Sequence, residues 1–278
     1  TVQAGAIIQT KQLPNNDPRL EKIGIEKPTA ETSWNYNLGV TAKAGNKFLF
    51  TLDAYQIDIK DRIILAERMI VSQIAALKPL FTGISEIRFF TNHVNTTTKG
   101  IDFVTTFKHD FNRKNRFNAS LALTFNQTKI TGQRPTPELL QAGTANKILV
   151  IDTVSISLIE TAQPRQKIHL NLGYQMGKFN FNWRTSYFGE VTAWEKPTGK
   201  PHITQTFGAK TLHDIAISFA PTSKLSFSVG SNNVTNVYPD RVALNFAGYS
   251  NGQIPYSRNV NQFGFNGAFY YLNGSLNF

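Results

Sequence analysis

The sequence ends in Gln262-Phe-Gly-Phe-Asn-Gly-Ala-Phe-Tyr-Tyr-Leu-Asn-Gly-Ser-Leu-Asn-Phe278, and this stretch decides the fold. In an extended chain, one side carries the apolar residues Tyr270, Leu272, Leu276 and Phe278, interrupted only by Gly274. The other side carries Asn273, Ser275 and Asn277. The stretch therefore predicts a β-strand with one apolar and one polar face, which an ordinary strand on a soluble core would also show.

The same period of two recurs along the chain. In the clearest pair of strands, the apolar face consists of Ile168, Leu170, Leu172, Tyr174 and Met176, followed after a turn by Phe179, Phe181 and Trp183. Both strands alternate for about ten residues, the length of a tilted transmembrane strand. Nine such segments are predicted, at 31–43, 48–63, 99–108, 117–126, 167–176, 179–187, 207–219, 225–229 and 262–278.

The second segment changes phase along its length. Phe48, Phe50 and Leu52 face one way, whereas Tyr55, Ile57 and Ile59 face the other. This change predicts a bulge, or departure from the bilayer, near Ala54.

The connections between these segments alternate in length. Short turns occur at residues 44–47, 112–116, 177–178 and 221–224, and long connections at about 66–86, 132–163, 195–205 and 232–260. This alternation is typical of outer-membrane β-barrels, which have short periplasmic turns and long extracellular loops. Residues 1–30 have no sustained period and are predicted to be a loop, and the apolar patch 148–151 a short helix or an extra hairpin.

Nine strands is an odd number, whereas bacterial single-chain barrels use an even number. The sequence therefore predicts an all-β chain that forms the C-terminal part of a larger antiparallel transmembrane β-barrel. A hidden tenth strand, between Ala4 and Gln12, is the alternative.

The composition agrees with an alternating membrane barrel. Charged residues are 17% of the 278 residues and aromatic residues 12%, with a mean hydropathy of −0.25, whereas soluble domains carry about 25% charged residues. The sequence contains no apolar run of 18 or more residues and no pattern of a signal peptide, which predicts a chain that begins as mature protein or within a longer one. Cysteine is absent, which excludes disulfides and thiolate metal sites.

The net charge of +11 does not predict nucleic-acid binding, because basic residues are scattered rather than clustered. Many of them lie at turns and strand ends: Lys43, Lys47, Arg113, Lys114, Arg116, Lys178 and Lys224. An anionic lipid surface or an anionic ligand is the better match.

Several short motifs resemble the C-terminal barrel half of TonB-dependent outer-membrane receptors, particularly those of Bacteroidetes. They are Glu31-Thr-Ser-Trp-Asn-Tyr-Asn-Leu-Gly-Val40, Asp53-Ala-Tyr-Gln-Ile-Asp-Ile-Lys-Asp-Arg62, Asn95-Thr-Thr-Thr-Lys-Gly-Ile-Asp102, Pro164-Arg-Gln-Lys167, Gly230-Ser-Asn-Asn-Val-Thr-Asn-Val-Tyr238 and Phe263-Gly-Phe-Asn-Gly-Ala-Phe-Tyr270. The resemblance covers residues 31–278. The closing strand also resembles the signal read by the barrel-insertion machinery, carried here by Tyr270, Leu272, Leu276 and Phe278.

The resemblance implies a 22-stranded barrel, filled by a plug domain, that takes up a scarce nutrient such as a siderophore, haem, cobalamin or a glycan. It implies no cofactor and no enzymatic activity. The implied partners are outer-membrane lipid, the insertion machinery, the plug and earlier strands, TonB acting through that plug, and a surface lipoprotein. The plug is absent from residues 1–278, which we divide into a loop (1–30) and the strands and loops of the barrel (31–278).

The alternation assigns candidate residues to two regions. Residues predicted to line the lumen are Asp102, Lys108, His169, Asn171, Asn180, Asn182 and Arg184. Ligand-binding candidates in the loops are the basic and aromatic residues Arg134, Trp194, Arg241, Tyr249 and Tyr256. The five histidines show no metal-ligand spacing, so no metal site is predicted.

Other classes of protein remain as alternatives. An autotransporter translocator or a passive porin would also be a barrel ending in Phe, but with an even number of strands. A secreted β-adhesin would bury its Phe-rich faces between two sheets. An outer-membrane hydrolase would need a catalytic set, and His202 with Asp214 or Ser218 is too loose a set to predict one.

Overall fold

The computed structural model describes residues 2–3, 6–7, 9–141, 150–195, 203–243, 255–257, 260 and 262–277. Most elements in these ranges are strands. They are β1 (Val2–Gln3), β2 (Ala6–Ile7), β3 (Thr10–Gln12), β4 (Thr32–Ala44), β5 (Phe48–Leu65), β6 (Met69–Ile70), β7 (Glu86–Arg88), β8 (Phe90–Asn112), β9 (Asn115–Gln133), β10 (Gln166–Met176), β11 (Phe179–Phe188), β12 (Val191–Glu195), β13 (Ile203–Phe207), β14 (Lys210–Phe219), β15 (Leu225–Asn232) and β16 (Phe269–Leu276). The helices are α1 (Pro18–Lys22), α2 (Glu138–Gln141), α3 (Thr153–Glu160) and a 3₁₀-helix at Val71–Gln73.

The predicted strands form one sheet. Within the described residues it has nine strands in the order β16-β15-β14-β11-β10-β9-β8-β5-β4. The registered pairs from β9 to β16 are antiparallel, and β4 and β16 are the two edges. The prediction of an antiparallel all-β chain with nine main strands is therefore confirmed.

The register gives the sheet one apolar and one polar face. One row across six strands consists of Phe117, Tyr174, Phe181, Ile217, Val229 and Leu272. The neighbouring row, on the opposite face, consists of Arg116, Gln175, Asn180, Ser218, Ser228 and Asn273. Because successive side chains point to opposite faces, each of these strands contributes apolar residues to one surface and polar residues to the other.

The apolar face is not covered by other parts of the chain within the described residues. Trp34 is 62% exposed, Leu38 77% and Leu272 78%. Rings from neighbouring strands contact one another on it, as in Phe48 with Phe107 and Phe179 with Phe219, at centroid distances of 4.6 and 4.7 Å. An aromatic surface of this extent is what a sheet presents to lipid, whereas a soluble sandwich would bury it.

The described chain divides into two compact units. The first, which we call the loop unit, comprises residues 1–35, 57–98 and 128–159, and the second, the sheet unit, comprises residues 36–56, 99–127 and 160–278.

The loop unit has a hydrophobic core of its own. Its fully buried side chains include Leu13, Ile23, Ile74, Leu77, Phe81, Ile87, Phe89 and Leu140. A three-stranded sheet in the order β3-β7-β6 holds these segments together, with β3 parallel to β7. Residues 1–30, predicted to be a loop, instead contain the short strands β1 to β3 and helix α1. The long connection predicted at about 66–86 does join two neighbouring strands of the large sheet, β5 and β8, and it buries apolar side chains that lack a single period.

Helix α1 shows how the loop unit is fixed locally. Asp17 caps the helix by accepting a hydrogen bond from the Arg19 N–H at 3.0 Å, and Pro18 occupies the first turn. The Arg19 guanidinium also binds the Asp17 carboxylate at 2.6 Å and lies over the Phe81 ring. The hydrogen bond from the Arg19 side chain lowers the pKa of Asp17 to about 2.

Strand β5 is continuous from Phe48 to Leu65, and Tyr55 packs against Gly100, two residues before Asp102, so Tyr55 lies on the polar face. Asp61 in this strand has a positive φ of +53°. The bulge or departure from the bilayer near Ala54 stays a prediction. The hidden tenth strand is not part of the large sheet: β1 pairs with β2, and β3 belongs to the loop unit.

The sheet unit has a second, smaller core beside the large sheet. Strands β12 and β13 pair with each other, within the segment predicted as the end of one strand and a long connection. Val191, Ala193 and Phe207 pack with Ala162 and Val260. The Gln262 amide donates hydrogen bonds to the carbonyl oxygens of Gly189 and Gly208 at 2.6 and 3.0 Å. Residues 148–149 of the predicted short helix or hairpin lie outside the described residues, and helix α3 begins at Thr153.

The two faces of β9 provide a direct test of the membrane orientation. In the membrane-inserted protein, Leu121→Lys is expected to lower the free energy of unfolding by about 2–4 kcal/mol, because it places a charge on the predicted lipid face. Ser120→Lys, at the same depth on the opposite face, is the matched control and is expected to cost much less. Urea unfolding in lipid vesicles measures both, and equal costs would contradict the assignment of faces.

Candidate functional site

The polar face of the sheet carries the residues that were predicted to line the lumen. Asn171 lies opposite Arg184, Gln175 opposite Asn180, and Gly173 opposite Asn182 on the paired strands β10 and β11. His169 lies on the same face, opposite Ser186, and its Nδ1 is 3.0 Å from the Ser186 hydroxyl oxygen. The sequence pattern thus brought these residues together on one surface.

Asp102 and Lys108 share one face of β8, because both are separated from Gly100 by an even number of residues. The Tyr55 ring lies against the α-carbon of Gly100, where any side chain would overlap with it. Glycine at position 100 therefore makes room for Tyr55 on the polar face. Two buried oxygens on this face, Asp102 Oδ1 and Asn171 Oδ1, have no hydrogen-bond partner within the described part of the chain.

The polar face also carries cations. Arg184 lies opposite Asp214 in the β11–β14 pair, but Asp214 Oδ1 accepts a hydrogen bond from the Asn233 N–H at 2.7 Å. The ion pairs between described residues do not include Lys108, Lys167 or Arg184. These three cations share the polar face with the carboxylates of Asp102 and Asp214.

Arg134, one of the predicted ligand-binding residues, lies in the loop unit and is bound to acidic partners. Its guanidinium is 2.7 Å from Asp61 Oδ1 and 3.4 Å from Glu26 Oε2, and its backbone N–H donates to the His93 carbonyl at 2.8 Å. The hydrogen bond from the Arg134 guanidinium to Asp61 raises the pKa of Arg134. Arg134 thus holds three segments of the loop unit together.

Hydrogen bonds to its backbone also hold Asp61 in place. The Asn95 side chain accepts a hydrogen bond from the Asp61 N–H at 2.9 Å, and the Asn92 amide donates to the Asp61 carbonyl at 2.5 Å. Asn92 also exchanges hydrogen bonds with the backbone of Thr29. The positive φ of Asp61 is tolerated because a short Asp side chain accepts this conformation more readily than most residues.

A column of three aromatic rings lies in the sheet unit. Tyr238 stacks on Tyr256 at a centroid distance of 6.3 Å and an interplanar angle of 4°, and Tyr256 stacks on Phe265 at 5.7 Å. We call these three residues the aromatic column. Tyr238 is 40% exposed and Phe265 49%, so the column offers ring faces and edges to a ligand.

The loop that carries Tyr238 is fixed on both sides. Asp240 accepts hydrogen bonds from the Gly208 N–H at 2.6 Å and the Lys210 ammonium at 2.5 Å. Burial by itself would raise the pKa of Asp240, but the two hydrogen bonds and the charge of Lys210 outweigh it, so the pKa is lowered. The Gln205 side chain binds the Arg241 carbonyl and the Ala243 N–H at 2.8 and 2.9 Å.

The remaining predicted ligand residues occupy different places. Arg241 follows Asp240 in this loop and is exposed. Trp194 lies in β12, opposite Thr204 of β13, and is partly buried. Tyr249 lies outside the described residues, as does Phe278, whereas Tyr270, Leu272 and Leu276 lie on the apolar face of β16.

Sequence reasoning missed the aromatic column as a unit. Tyr238 and Phe265 belong to different loops, and no period links them to Tyr256. Gly267 could have been a signal that a side chain packs there. Its φ is +71°, and a side chain at this position would overlap with the Tyr238 hydroxyl. Such a close approach marks a side chain that is held over the backbone.

No metal centre is formed within the described ranges, where no group of three or more His, Asp and Glu side chains could hold an ion. None of the described helices is long and apolar enough to cross a membrane. Of the loose hydrolase set, His202 lies outside the described residues, and Asp214 and Ser218 are four positions apart on β14.

A family model for the TonB-dependent receptor-like β-barrel matches residues 6–234. No curated protein matches the sequence.

Solved structures resemble the chain at low sequence identity. The outer-membrane transporter YddB of Escherichia coli has a TM-score of 0.60 at 12% identity, covering 98% of this chain and 35% of that one. The FrpB iron transporter of Neisseria meningitidis has a TM-score of 0.58 at 13% identity, with coverages of 90% and 31%. The pyoverdine receptor FpvA of Pseudomonas aeruginosa, bound to pyoverdine, has a TM-score of 0.56 at 14% identity, with coverages of 91% and 31%. The chain spans about a third of the length of these proteins.

His93 provides a test of the loop unit. Burial, and then the nearby charge of Arg134, lower its pKa from the ordinary value of 6.5. A lowered pKa in the folded state means that His93 contributes stability above pH 6.5, which is lost as the pH falls below it. The hydrogen-exchange protection factors of the loop unit, which are exchange rates corrected for the intrinsic effect of pH on amide exchange, are therefore expected to fall as the pH is lowered from 7.5 to 5.

The matched variants are His93→Gln and Arg134→Gln. His93→Gln is expected to flatten this part of the pH dependence, and Arg134→Gln to weaken it by removing the like charge. An unchanged pH dependence in His93→Gln would show that another group is responsible.

Proposed function

Since this chain belongs to the TonB-dependent receptor-like β-barrel family, we propose that it takes up a scarce nutrient across the bacterial outer membrane. Proteins of this family are outer-membrane transporters and not enzymes. The observation that carries the proposal is the nine-stranded antiparallel sheet with one apolar and one polar face, most of which lies within the matched residues.

We propose that further strands complete the barrel. The sheet has two edges, β4 and β16, and an edge exposed to hydrocarbon would leave backbone N–H and C=O groups without partners. Additional strands, from the same or a separate polypeptide, would pair with both edges and bring the total to 22. The six motifs quoted above support a receptor of the Bacteroidetes type.

The polar face supports the presence of a plug domain. Buried polar atoms in proteins almost always have hydrogen-bond partners, and Asp102 Oδ1 and Asn171 Oδ1 lack one within the described chain. We propose that this face lines the lumen and meets the plug, through which TonB would act. Insertion machinery that reads β16, surrounding lipid and a surface lipoprotein complete the proposed set of partners.

The ligand that best fits the described surfaces is anionic and contains rings. The aromatic column offers flat apolar faces, and Lys108, Lys167 and Arg184 on the polar face form none of the ion pairs between described residues. A ferric siderophore or haem combines both properties, whereas cobalamin and glycans use the rings alone. We propose that Tyr256, Arg241, Trp194 and Tyr249 contact the ligand, and that Arg134 acts through the shape of the loop unit.

An autotransporter translocator or a passive porin is the alternative function. Neither would need TonB. Uptake that continues at the same rate in a strain without TonB would favour a passive barrel and contradict the proposal.

The proposal is tested in cells that lack their own receptor genes and carry the intact receptor. Growth is measured with a ferric catecholate siderophore, haemin, cyanocobalamin or a maltooligosaccharide as the limiting source, with and without TonB. We expect TonB-dependent growth on one anionic, ring-containing source. Growth on none of these sources, or growth that is independent of TonB, would overturn the proposal.

Variants of the aromatic column then test the ligand contact. Tyr256→Ala is expected to weaken binding of the active compound about three- to tenfold, because stacking contributes about 0.5–1.5 kcal/mol per ring pair. Tyr256→Phe keeps the ring and is expected to bind like the native receptor. If Tyr256→Ala binds the compound as tightly as the native receptor does, the aromatic column is not part of the ligand-binding site.

A further inference from the structure

The four short turns of the sheet unit share a feature that uptake does not explain. Each turn has a lysine immediately before its outgoing strand: Lys47 precedes β5, Lys114 precedes β9, Lys178 precedes β11 and Lys224 precedes β15. All four lysines are exposed. We call these four residues the basic rim.

The backbone holds the basic rim in a fixed row. The Lys47 carbonyl accepts a hydrogen bond from the Lys108 N–H at 3.0 Å, and the Lys114 carbonyl accepts one from the Gly177 N–H at 2.8 Å. The Lys178 and Lys224 carbonyls likewise accept bonds from the N–H groups of Ala220 and Asn277, at 2.9 and 2.8 Å. Since each bond joins a turn to the next strand in the sheet, the four lysines occupy equivalent positions, about 10 Å apart.

Between the residues that the structure describes, no carboxylate forms an ion pair with the basic rim. None of the four turns contains Asp or Glu, and Lys43 and Arg113 add two more cations. Asp110, which lies near the end of β8, pairs with Arg116. Lys178 also donates to the Pro221 carbonyl at 2.5 Å, which fixes its ammonium without neutralising it.

The rim lies next to an aromatic band on the apolar face. Phe48 follows Lys47 directly and contacts Phe107, and Phe179 follows Lys178 directly and contacts Phe219. Phe111 and Tyr174 extend the band between them, at a centroid distance of 6.4 Å. Aromatic rings of this kind mark the boundary between hydrocarbon and headgroups. The ammonium groups therefore lie at the level of lipid phosphates.

We propose that the basic rim binds the headgroups of anionic phospholipids in the periplasmic leaflet of the outer membrane. Charge complementarity supports this occupant, since lysines near an anionic surface are attracted to it. Four cations in a row tied by hydrogen bonds would gather such lipids around this side of the barrel and fix its depth in the bilayer. The proposal rests on the membrane location of the barrel and not on the identity of the nutrient.

The test uses the intact receptor in nanodiscs that contain equal amounts of phosphatidylglycerol and phosphatidylethanolamine. Native mass spectrometry counts the lipids that stay bound. We expect the native receptor to retain phosphatidylglycerol about fivefold over phosphatidylethanolamine, the ratio that corresponds to about 1 kcal/mol per lysine. High salt is expected to reduce this ratio.

The decisive variant replaces Lys47, Lys114, Lys178 and Lys224 with Gln, and is expected to lose the preference. A second variant with Arg at the same positions is expected to keep it. The matched control replaces Lys11, Lys22, Lys60 and Lys78, exposed lysines of the loop unit, with Gln; it changes the net charge equally and is expected to keep the preference.

Three outcomes would overturn the proposal. They are equal retention of both lipids by the native receptor, an unchanged preference in the Gln variant of the rim, or an equal loss in the control. A rim variant that binds lipids normally but loses nutrient uptake in cells would instead indicate a periplasmic protein as the partner. Heat-modifiable migration in gels shows that each variant is folded, and the lipid ratio can be measured whether or not a nutrient is bound.

Discussion

The structure depends on the requirement that backbone N–H and C=O groups be paired where no water is available. In hydrocarbon, a sheet satisfies this requirement only when each strand pairs with a neighbour on both sides. Seven of the nine strands in the large sheet, from β5 to β15, have a neighbour on both sides. Once the backbone is paired, the side chains have only two directions, and the two faces follow from the sequence.

The sequence predicted the sheet well for that reason. A period of two is read directly from residues such as Phe179, Phe181 and Trp183, and the register of the structure placed these residues on one face. Chain reversals were equally readable, because the short turns contain Gly, Asn, Pro or Ser beside a lysine. What period two did not show was the full length of some strands, such as β8, which runs from Phe90 to Asn112.

The loop unit and the aromatic column were not predictable in the same way. Leu13, Ile74 and Leu140 are far apart in sequence and meet only when the loop unit folds. The buried residues of the loop unit follow no regular spacing in the sequence. The segments that contain them therefore resemble polar connections with scattered apolar residues. Candidate residues chosen by chemistry alone, such as Arg134, therefore included a side chain that the fold had already engaged with Asp61 and Glu26.

The core of the loop unit has a consequence for how proteases and antibodies would meet it. Segments such as 71–89, which a linear reading treats as a free connection, have Phe81, Ile87 and Phe89 fully buried. A protease needs an extended, accessible strand of several residues, and a folded core denies it one. Antibodies would likewise recognise this surface through residues brought together by folding, so that short synthetic peptides from it would be poor immunogens against the native protein.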